Sequence, residues 1–273
     1  MGEKVNPRIC SLTTTLSKRL KYSKRKASLM NFKNWLKMGI IIPSSNTTVE
    51  LEFTKVLSNK EDVLISCHFS RIKLDNVTVD DLTKMEKETE RAASELSSII
   101  PDIVIYACTT GSFFKNYIQY KELEEKIYNI TKTPVVVTSS AVISALRKMK
   151  MRDIVLVTPY IDELNKKEVE FLAFHDINVV KVYGMNIIKN TEIGKVSPDV
   201  LYEFITSSLK EIKADFDGIF ISCTNLRTFD IISKLEEKIG KPVISSNSAT
   251  LWEALNKLDI RIPNIGLGML FNT

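Results

Sequence analysis

The chain has 273 residues, 44% of them hydrophobic and 26% charged, which is ordinary for a globular protein with a substantial core. Four cysteines without CxxC spacing and only two histidines argue against a zinc site, and we expect no metal. The net charge of +5 comes from residues 1–37, which hold ten of the 38 basic and one of the 33 acidic residues; the remaining body is mildly acidic, which argues against nucleic-acid binding.

Residues 1–37 form a basic extension rich in Lys, Ser and Thr, which we predict to be disordered. Met30 is an alternative first residue, and the segment before it is then absent from the mature chain. The extension has no long apolar run, so we expect neither a secretory signal nor a membrane span. Free thiols fit a reducing compartment, and we therefore expect a cytoplasmic protein.

From residue 38 onward, short apolar runs alternate with longer stretches of helical periodicity. Strands are predicted at 38–42, 63–69, 103–107, 134–137, 154–157, 179–185, 218–222 and 242–245. Helices are predicted at 79–100, 117–130, 141–149, 162–174, 198–212, 228–239 and 250–258. This alternation predicts an α/β fold with mainly parallel sheets.

Three landmarks recur in the same order along the chain, which indicates an internal repeat. A strand followed by proline occurs at Pro43 and again at Pro159; a strand followed by Cys-Thr occurs at Cys108 and again at Cys223. Pro-Val with a Ser/Thr-rich turn occurs after residues 133 and 241. We therefore predict two related halves, 38–148 and 149–259, with the C-terminal segment 260–273 a candidate to return to the first half.

Each half places a cysteine directly after an apolar strand, where open α/β sheets bind their ligands. Backbone N–H groups and a helix N-terminus at that position should lower the pKa of the thiols of Cys108 and Cys223. Two thiols that face each other across a cleft suit proton removal on one face of a carbon and return on the other. They equally suit thiolate addition with the second thiol as the acid. Neutral donors for a carboxylate follow the cysteines at Thr109, Thr110, Thr224 and Asn225.

Five segments together resemble the Asp/Glu racemase superfamily, and within it the group of maleate cis–trans isomerases, arylmalonate decarboxylases and ectoine-utilisation proteins. They are residues 43–48, 108–112, 158–160, 223–228 and 245–250. The resemblance covers about residues 38–270. It implies two pseudo-symmetric Rossmann-like halves with the active site in the cleft between them, and a homo-oligomer.

The resemblance also implies roles for individual residues. Cys108 matches the nucleophile of maleate isomerase and Cys223 the partner acid and base, whereas Asn46, Tyr160 and Asn186 match ligands of the substrate carboxylates. Arylmalonate decarboxylase keeps only the second cysteine, so the presence of both argues against decarboxylation. The Cys-Thr-Asn-Leu-Arg segment is nearer to the ectoine-utilisation proteins.

We accordingly expect a cofactor-independent isomerase of a small dicarboxylate, with maleate to fumarate as the specific reaction. The sequence contains neither GxGxxG nor a P-loop lysine. An amino-acid or hydantoin racemase, or an ectoine-utilisation enzyme, is the alternative within the same superfamily. A non-catalytic protein that binds small carboxylates is the alternative from another class.

Overall fold

The computed structural model describes residues 35–58, 63–262 and 266–273. The predictions for the basic extension and for Met30 therefore lie almost wholly outside the described residues. Eight strands and ten α-helices are present in the described part of the chain. The strands are β1 (Trp35–Pro43), β2 (Leu64–Ile72), β3 (Ile103–Tyr106), β4 (Val135–Val137), β5 (Asp153–Thr158), β6 (Asn178–Gly184), β7 (Gly218–Ile221) and β8 (Val243–Ser245).

The helices flank these strands on both sides of each sheet. They are α1 (Thr48–Leu57), α2 (Val79–Glu86), α3 (Thr89–Ser97), α4 (Gln119–Thr131), α5 (Thr138–Lys148), α6 (Asp162–Phe174), α7 (Asn190–Lys195), α8 (Pro198–Ser208), α9 (Ile232–Ile239) and α10 (Ser246–Lys257). Single 3₁₀ turns lie at Thr110–Ser112, Leu209–Glu211 and Met269–Asn272.

The strands form two parallel sheets of identical topology, in the orders β2-β1-β3-β4 and β6-β5-β7-β8. The predicted α/β fold with two pseudo-symmetric, Rossmann-like halves is confirmed. The central strands β3 and β7 are buried along their whole length, as expected for apolar strands covered on both faces. Their carboxyl ends carry the two cysteines.

The elements that follow the central strands differ from the prediction. No α-helix begins directly after either cysteine: α4 starts at Gln119 and α9 at Ile232, not at 117 and 228. The predicted helix 79–100 is two helices, and the chain between them turns at Lys87 and Glu88. Helix α1 was missed, because its Thr-Val-Glu-Leu-Glu start has the polar alternation of a strand rather than helical spacing.

The two sheets are joined by contacts between equivalent helices and by buried side chains. Helix α5 packs against α10, where the hydroxyl of Thr250 donates to that of Thr138 at 3.1 Å. Glu52 of α1 reaches the second sheet: its carboxylate accepts from the backbone N–H groups of Thr228 at 2.5 Å and Phe229 at 2.9 Å, and from the Asn247 amide at 2.6 Å. Glu52, a residue of the first half, thus accepts hydrogen bonds from the turn that follows Cys223 in the second half.

The C-terminal segment contacts the second half rather than returning to the first alone. The backbone N–H of Met269 donates to Glu236 of α9 at 2.8 Å, and the Ser233 hydroxyl donates to the carbonyl of Gly266 at 3.0 Å. Leu270 enters a core cluster that includes Leu146 and Phe220, one from each predicted half. The segment 260–273 therefore contacts both predicted halves, and its return to the first half stays a prediction. The boundaries 38–148 and 149–259 also stay a prediction.

Replacement of Glu52 by alanine should destabilise the protein by about 2–4 kcal/mol, because two buried backbone N–H groups and one amide lose their acceptor. Urea denaturation monitored by circular dichroism measures the change. The matched control is Lys55→Ala on the same helix, whose ion pair with Asp230 also crosses to the second sheet but is more than half exposed. The control should change the free energy of unfolding by about 0.5 kcal/mol or less. Equal effects of the two substitutions would contradict this role of Glu52.

Candidate active site

The two cysteines lie at equivalent places in the two sheets. Cys108 is two residues beyond β3 and Cys223 two residues beyond β7, and both are buried, with 5% and 6% of their surface exposed. They are close enough for a charge on Cys108 to raise the pKa of Cys223. Because the carboxyl ends of both parallel sheets meet here, the loops after β3 and β7 form a single site.

Each thiol receives a backbone N–H group from the turn that follows it. The N–H of Asn225 donates to the sulfur of Cys223 at 3.4 Å, and the N–H of Gly111 acts on Cys108. A side chain at Gly111 would not fit, because its Cβ would lie 2.9 Å from the Cys108 sulfur and 2.6 Å from Met85. Glycine therefore allows the 3₁₀ turn to close tightly over the first thiol.

The pKa values of both thiols are raised, contrary to the expectation that N–H groups and helix dipoles would lower them. Burial raises the pKa of Cys108 to about 11 and that of Cys223 to about 12, and the N–H groups oppose this only in part. The loss of hydration of a thiolate outweighs one or two hydrogen bonds. The expected helix dipoles are also missing, since no α-helix starts at either cysteine. Both groups are thus thiols at neutral pH in the free protein.

The hydroxyl of Ser246 connects the two cysteine loops. It accepts a hydrogen bond from Thr109 at 2.9 Å and another from the backbone N–H of Cys223 at 3.0 Å. Thr110, on the first loop, places its hydroxyl oxygen 4.0 Å from the sulfur of Cys108. One side chain thereby fixes the distance between the turn of the first half and that of the second.

A second connection runs through Asn46 and Thr224. The oxygen of Asn46 accepts from the N–H groups of Thr48 and Val49 at 2.9 and 3.1 Å and so caps α1. Its amide nitrogen donates to the Thr224 hydroxyl at 3.0 Å, which in turn donates to the carbonyl of Ala107 at 3.2 Å. Asn46 is fully buried and retains a second amide hydrogen for a ligand.

Tyr160 and Asn225 complete the polar surroundings of Cys223. Tyr160 is buried, and burial raises its pKa well above the ordinary value, so the phenol is a neutral donor. Its hydrogen bond favours the ionised form of Cys223. The Asn225 amide donates to the carbonyl of Asn190 at 2.7 Å, and its oxygen accepts from the N–H of Thr47 at 3.3 Å. Both residues, predicted as substrate ligands, therefore lie beside Cys223.

Asn186 is not brought into this buried group. It follows β6 in an exposed loop with a φ of 58°, a left-handed conformation that asparagine tolerates. Asn190, four residues later and buried at the start of α7, contacts Asn225 and donates to Ser45 at 2.8 Å. The structure thus brings Asn190, rather than Asn186, into contact with Asn225, and the ligand role assigned to Asn186 by resemblance stays a prediction.

Sequence reasoning missed three further polar residues around the site. Ser246 was quoted only as part of a motif, whereas Ser222 and Glu168 were not singled out. Glu168 is a buried carboxyl of α6, which accepts from the Ser222 hydroxyl at 2.5 Å. Its place on a helical face whose buried residues are otherwise Leu164, Phe171, Leu172 and one further polar residue, Asn165, was the available signal.

Within the described ranges, no group of three or more His, Cys, Asp or Glu is placed to hold a metal ion. None of the described helices is long and apolar enough to cross a membrane.

Alkylation of Cys108 by iodoacetamide should be slow at pH 7 and rise roughly tenfold per pH unit up to pH 10, because the thiolate fraction grows in that proportion below a pKa of about 11. Peptide mass spectrometry resolves Cys108 from the other cysteines. N-acetylcysteine serves as the control, and its rate should level off above a pKa of about 8.5. A plateau for Cys108 between pH 7 and 9 would show that the free protein already holds a thiolate.

The family model described as arylmalonate decarboxylase matches residues 38–271. A maleate isomerase of Geobacillus stearothermophilus is 28% identical over 84% of this chain and 95% of its own. The maleate isomerase Iso of Pseudomonas putida S16 has been solved with maleate, as a cysteine-to-alanine variant. It is 28% identical to this chain with a TM-score of 0.82, and the match covers 87% of this chain and 98% of the isomerase. A Nocardia farcinica maleate cis–trans isomerase variant with a covalently bound succinylcysteine intermediate has a TM-score of 0.81 at 23% identity, over 87% and 98% of the two chains. The predicted family resemblance is confirmed, and the chain belongs to the arylmalonate decarboxylase family.

Proposed function

We propose that the protein is a cofactor-independent isomerase that converts maleate to fumarate through a covalent adduct on Cys108. The observation that carries the proposal is the pair of buried thiols, one from each half, held in a site of neutral hydrogen-bond donors. The similarity to maleate isomerases over most of the chain supports it. The Nocardia relative with its succinylcysteine intermediate supports the covalent route.

Cys108 is a thiol in the free protein, so it first loses its proton to solvent, and its thiolate then adds to one alkene carbon of maleate. Electrons of the double bond move to the neighbouring carbon and its carboxylate, and the thiol of Cys223 gives its proton to that carbon. The resulting succinyl thioether has a single bond in place of the double bond, so it can rotate. The Cys223 thiolate then removes a proton, the sulfur of Cys108 leaves with its electron pair, and fumarate is released.

The carboxylates of the substrate are bound by neutral donors rather than by a cation. Burial removes the site from water, so each hydrogen bond to a charged carboxylate is strong. We assign the donors to Asn46, Thr110, Tyr160, Asn190 and Asn225. The hydroxyls of Thr109 and Thr224 already donate to Ser246 and to the carbonyl of Ala107, so these two residues contribute through their backbone N–H groups. These donors also stabilise the negative charge that is delocalised onto the oxygens of the adjacent carboxylate during addition.

The same two thiols could serve an amino-acid or hydantoin racemase, in which protons are exchanged on opposite faces of one carbon without a covalent bond. The presence of both cysteines continues to argue against decarboxylation. The proposal includes a division into halves between residues 148 and 149, a homo-oligomer and a cytoplasmic location.

Substitutions Cys108→Ala and Cys223→Ser should each lower kcat for maleate roughly 1,000-fold or more, because each removes a group that acts in the bond-making steps. Proton NMR of maleate and fumarate measures turnover. Cys67→Ser, a change at a half-buried cysteine of β2, is the control and should stay within about threefold of the wild type. In the Cys223→Ser protein incubated with maleate, mass spectrometry should find a succinyl group on Cys108. Exchange of deuterium into an amino acid without any adduct would favour the racemase instead.

Asn190→Ala should raise KM for maleate roughly 10- to 100-fold, since a hydrogen bond to a charged carboxylate contributes about 1.5–3 kcal/mol. Asn186→Ala, four residues away and exposed, should change KM less than about twofold. Initial rates over a range of maleate concentrations measure both. A larger effect at Asn186 than at Asn190 would restore the ligand assignment made from the sequence.

A further inference from the structure

Two buried glutamates occupy equivalent positions in the two halves. Glu52 of α1 and Glu168 of α6 are separated by 116 residues, the same interval that separates Pro43 from Pro159 at the ends of β1 and β5. Both side chains are almost fully buried. Burial of a carboxylate is costly, so the surroundings of each of these two carboxyl groups must compensate for it.

The two carboxyl groups have different partners. Glu52 accepts three hydrogen bonds, from two backbone N–H groups and the Asn247 amide. Glu168 accepts one, from the Ser222 hydroxyl at 2.5 Å, while its Oε2 atom is buried without a partner among the described residues. The hydrogen bonds of Glu52 therefore join the two halves, whereas the Oε2 atom of Glu168 can take part in a further hydrogen bond.

Glu168 lies behind the second cysteine. Its partner Ser222 directly precedes Cys223, and a hydrogen bond between the Ser222 and Tyr160 hydroxyl groups lowers the pKa of Tyr160. Tyr160 in turn acts on the sulfur of Cys223 by a hydrogen bond. The side chains thus form a polar chain from the interior of the second half to the reactive sulfur, in the order Glu168, Ser222, Tyr160, Cys223.

We propose that Glu168 is a positioning residue that acts on Cys223 as a neutral carboxylic acid: through Ser222 and Tyr160 it orients the polar chain, and by staying uncharged it allows the Cys223 thiol to give up and regain its proton. The inference rests on the proposed function, in which Cys223 becomes a thiolate after it has protonated the substrate carbon. A negative charge on Glu168 would oppose that thiolate.

The charges around Glu168 fit this role. Burial raises its pKa to about 8, against which the Ser222 hydrogen bond acts only weakly. Of the titratable groups that face it, Cys223 and Tyr160 both experience its charge, which raises their pKa values. Strand β6, packed on α6, carries Lys181 and Tyr183, but neither contributes to the pKa of Glu168. Glu168 is therefore neutral at pH 7 and ionised well above pH 8.

The first test measures Cys223 itself and needs no substrate. Wild-type protein and Glu168→Gln, which keeps an acceptor for Ser222 but cannot ionise, are treated with methyl methanethiosulfonate, and modification of Cys223 is followed by peptide mass spectrometry. At pH 9.5 we expect the variant to react at least threefold faster than the wild type, because the charge that raises the pKa of Cys223 is gone. At pH 7 the two rates should agree within about twofold.

The matched control is Glu236→Gln, a change at a buried carboxyl of α9 whose pKa is also raised by burial but whose partners are the backbone N–H groups of Val243 and Met269. Its ratio of rates at pH 9.5 and pH 7 should equal that of the wild type. If Glu168→Gln fails to fold, Glu168→Met provides a neutral side chain of similar length for the same measurement.

Three outcomes decide the matter. A faster reaction of Cys223 at pH 9.5 alone supports the inference, and a kcat for maleate that falls at alkaline pH in the wild type but not in Glu168→Gln adds to it. Identical profiles overturn it. So does a rate increase of equal size at both pH values, which shows only that the site has loosened. If the wild type converts no maleate, the proposed function fails, but the measurement on Cys223 still decides the role of Glu168.

Discussion

The hydroxyl of Ser246 receives hydrogen bonds from both cysteine loops, and the rest of the site depends on that convergence. Thr109 brings the first loop to it and the backbone of Cys223 brings the second. Ser246 can serve both because it is the first residue of α10, which starts at the carboxyl end of β8 beside the end of β7. The N-terminus of α10 is itself fixed by a capping box between Ser245 and Ser248. Parallel topology thus places a rigid helix start at the junction of the two sheets.

Desolvation is the dominant electrostatic effect at this junction. It raises the pKa values of Cys108, Cys223, Tyr160 and Glu168 alike, so the free site holds neutral acids. A site of this kind binds a dianion with fixed dipoles in place of water and must lose one proton before a thiolate can add. Formation of the thiolate costs free energy because the site excludes water. The same exclusion of water strengthens the hydrogen bonds that the site makes to the bound substrate. The thiolate charge is therefore absent from the free protein and forms only for the addition step.

The sequence predicted the fold well, because strand–cysteine and strand–proline landmarks recur and the apolar runs of parallel strands are distinctive. Cys108 and Cys223 could be singled out for the same reason, since each follows a strand at the same offset, whereas Asn46 and Tyr160 were assigned by the family resemblance. Asn190 was not singled out, because it lies at the start of a short helix after β6 that no repeated landmark of the sequence marks. The raised pKa values of the thiols could not be predicted either. The sequence shows which N–H groups are adjacent to each sulfur, but it does not show that both sulfurs are almost completely buried. Nor does a pattern of residues show that Ser246, 137 residues beyond Thr109, joins the two cysteine loops.

The backbone at Cys223 has a φ of 104°, a region that residues with a side chain rarely adopt. Strain of this kind amounts to about 1–3 kcal/mol per residue and persists only where the surroundings impose it. Here the N–H is held by Ser246 and the sulfur by Asn225. Glycine at this position would relax the chain, so selection for stability alone would remove the thiol. The cysteine therefore lowers the thermal stability of the fold relative to glycine, and substitutions that stabilise this protein without loss of the thiol are better sought at sites remote from the turn after β7.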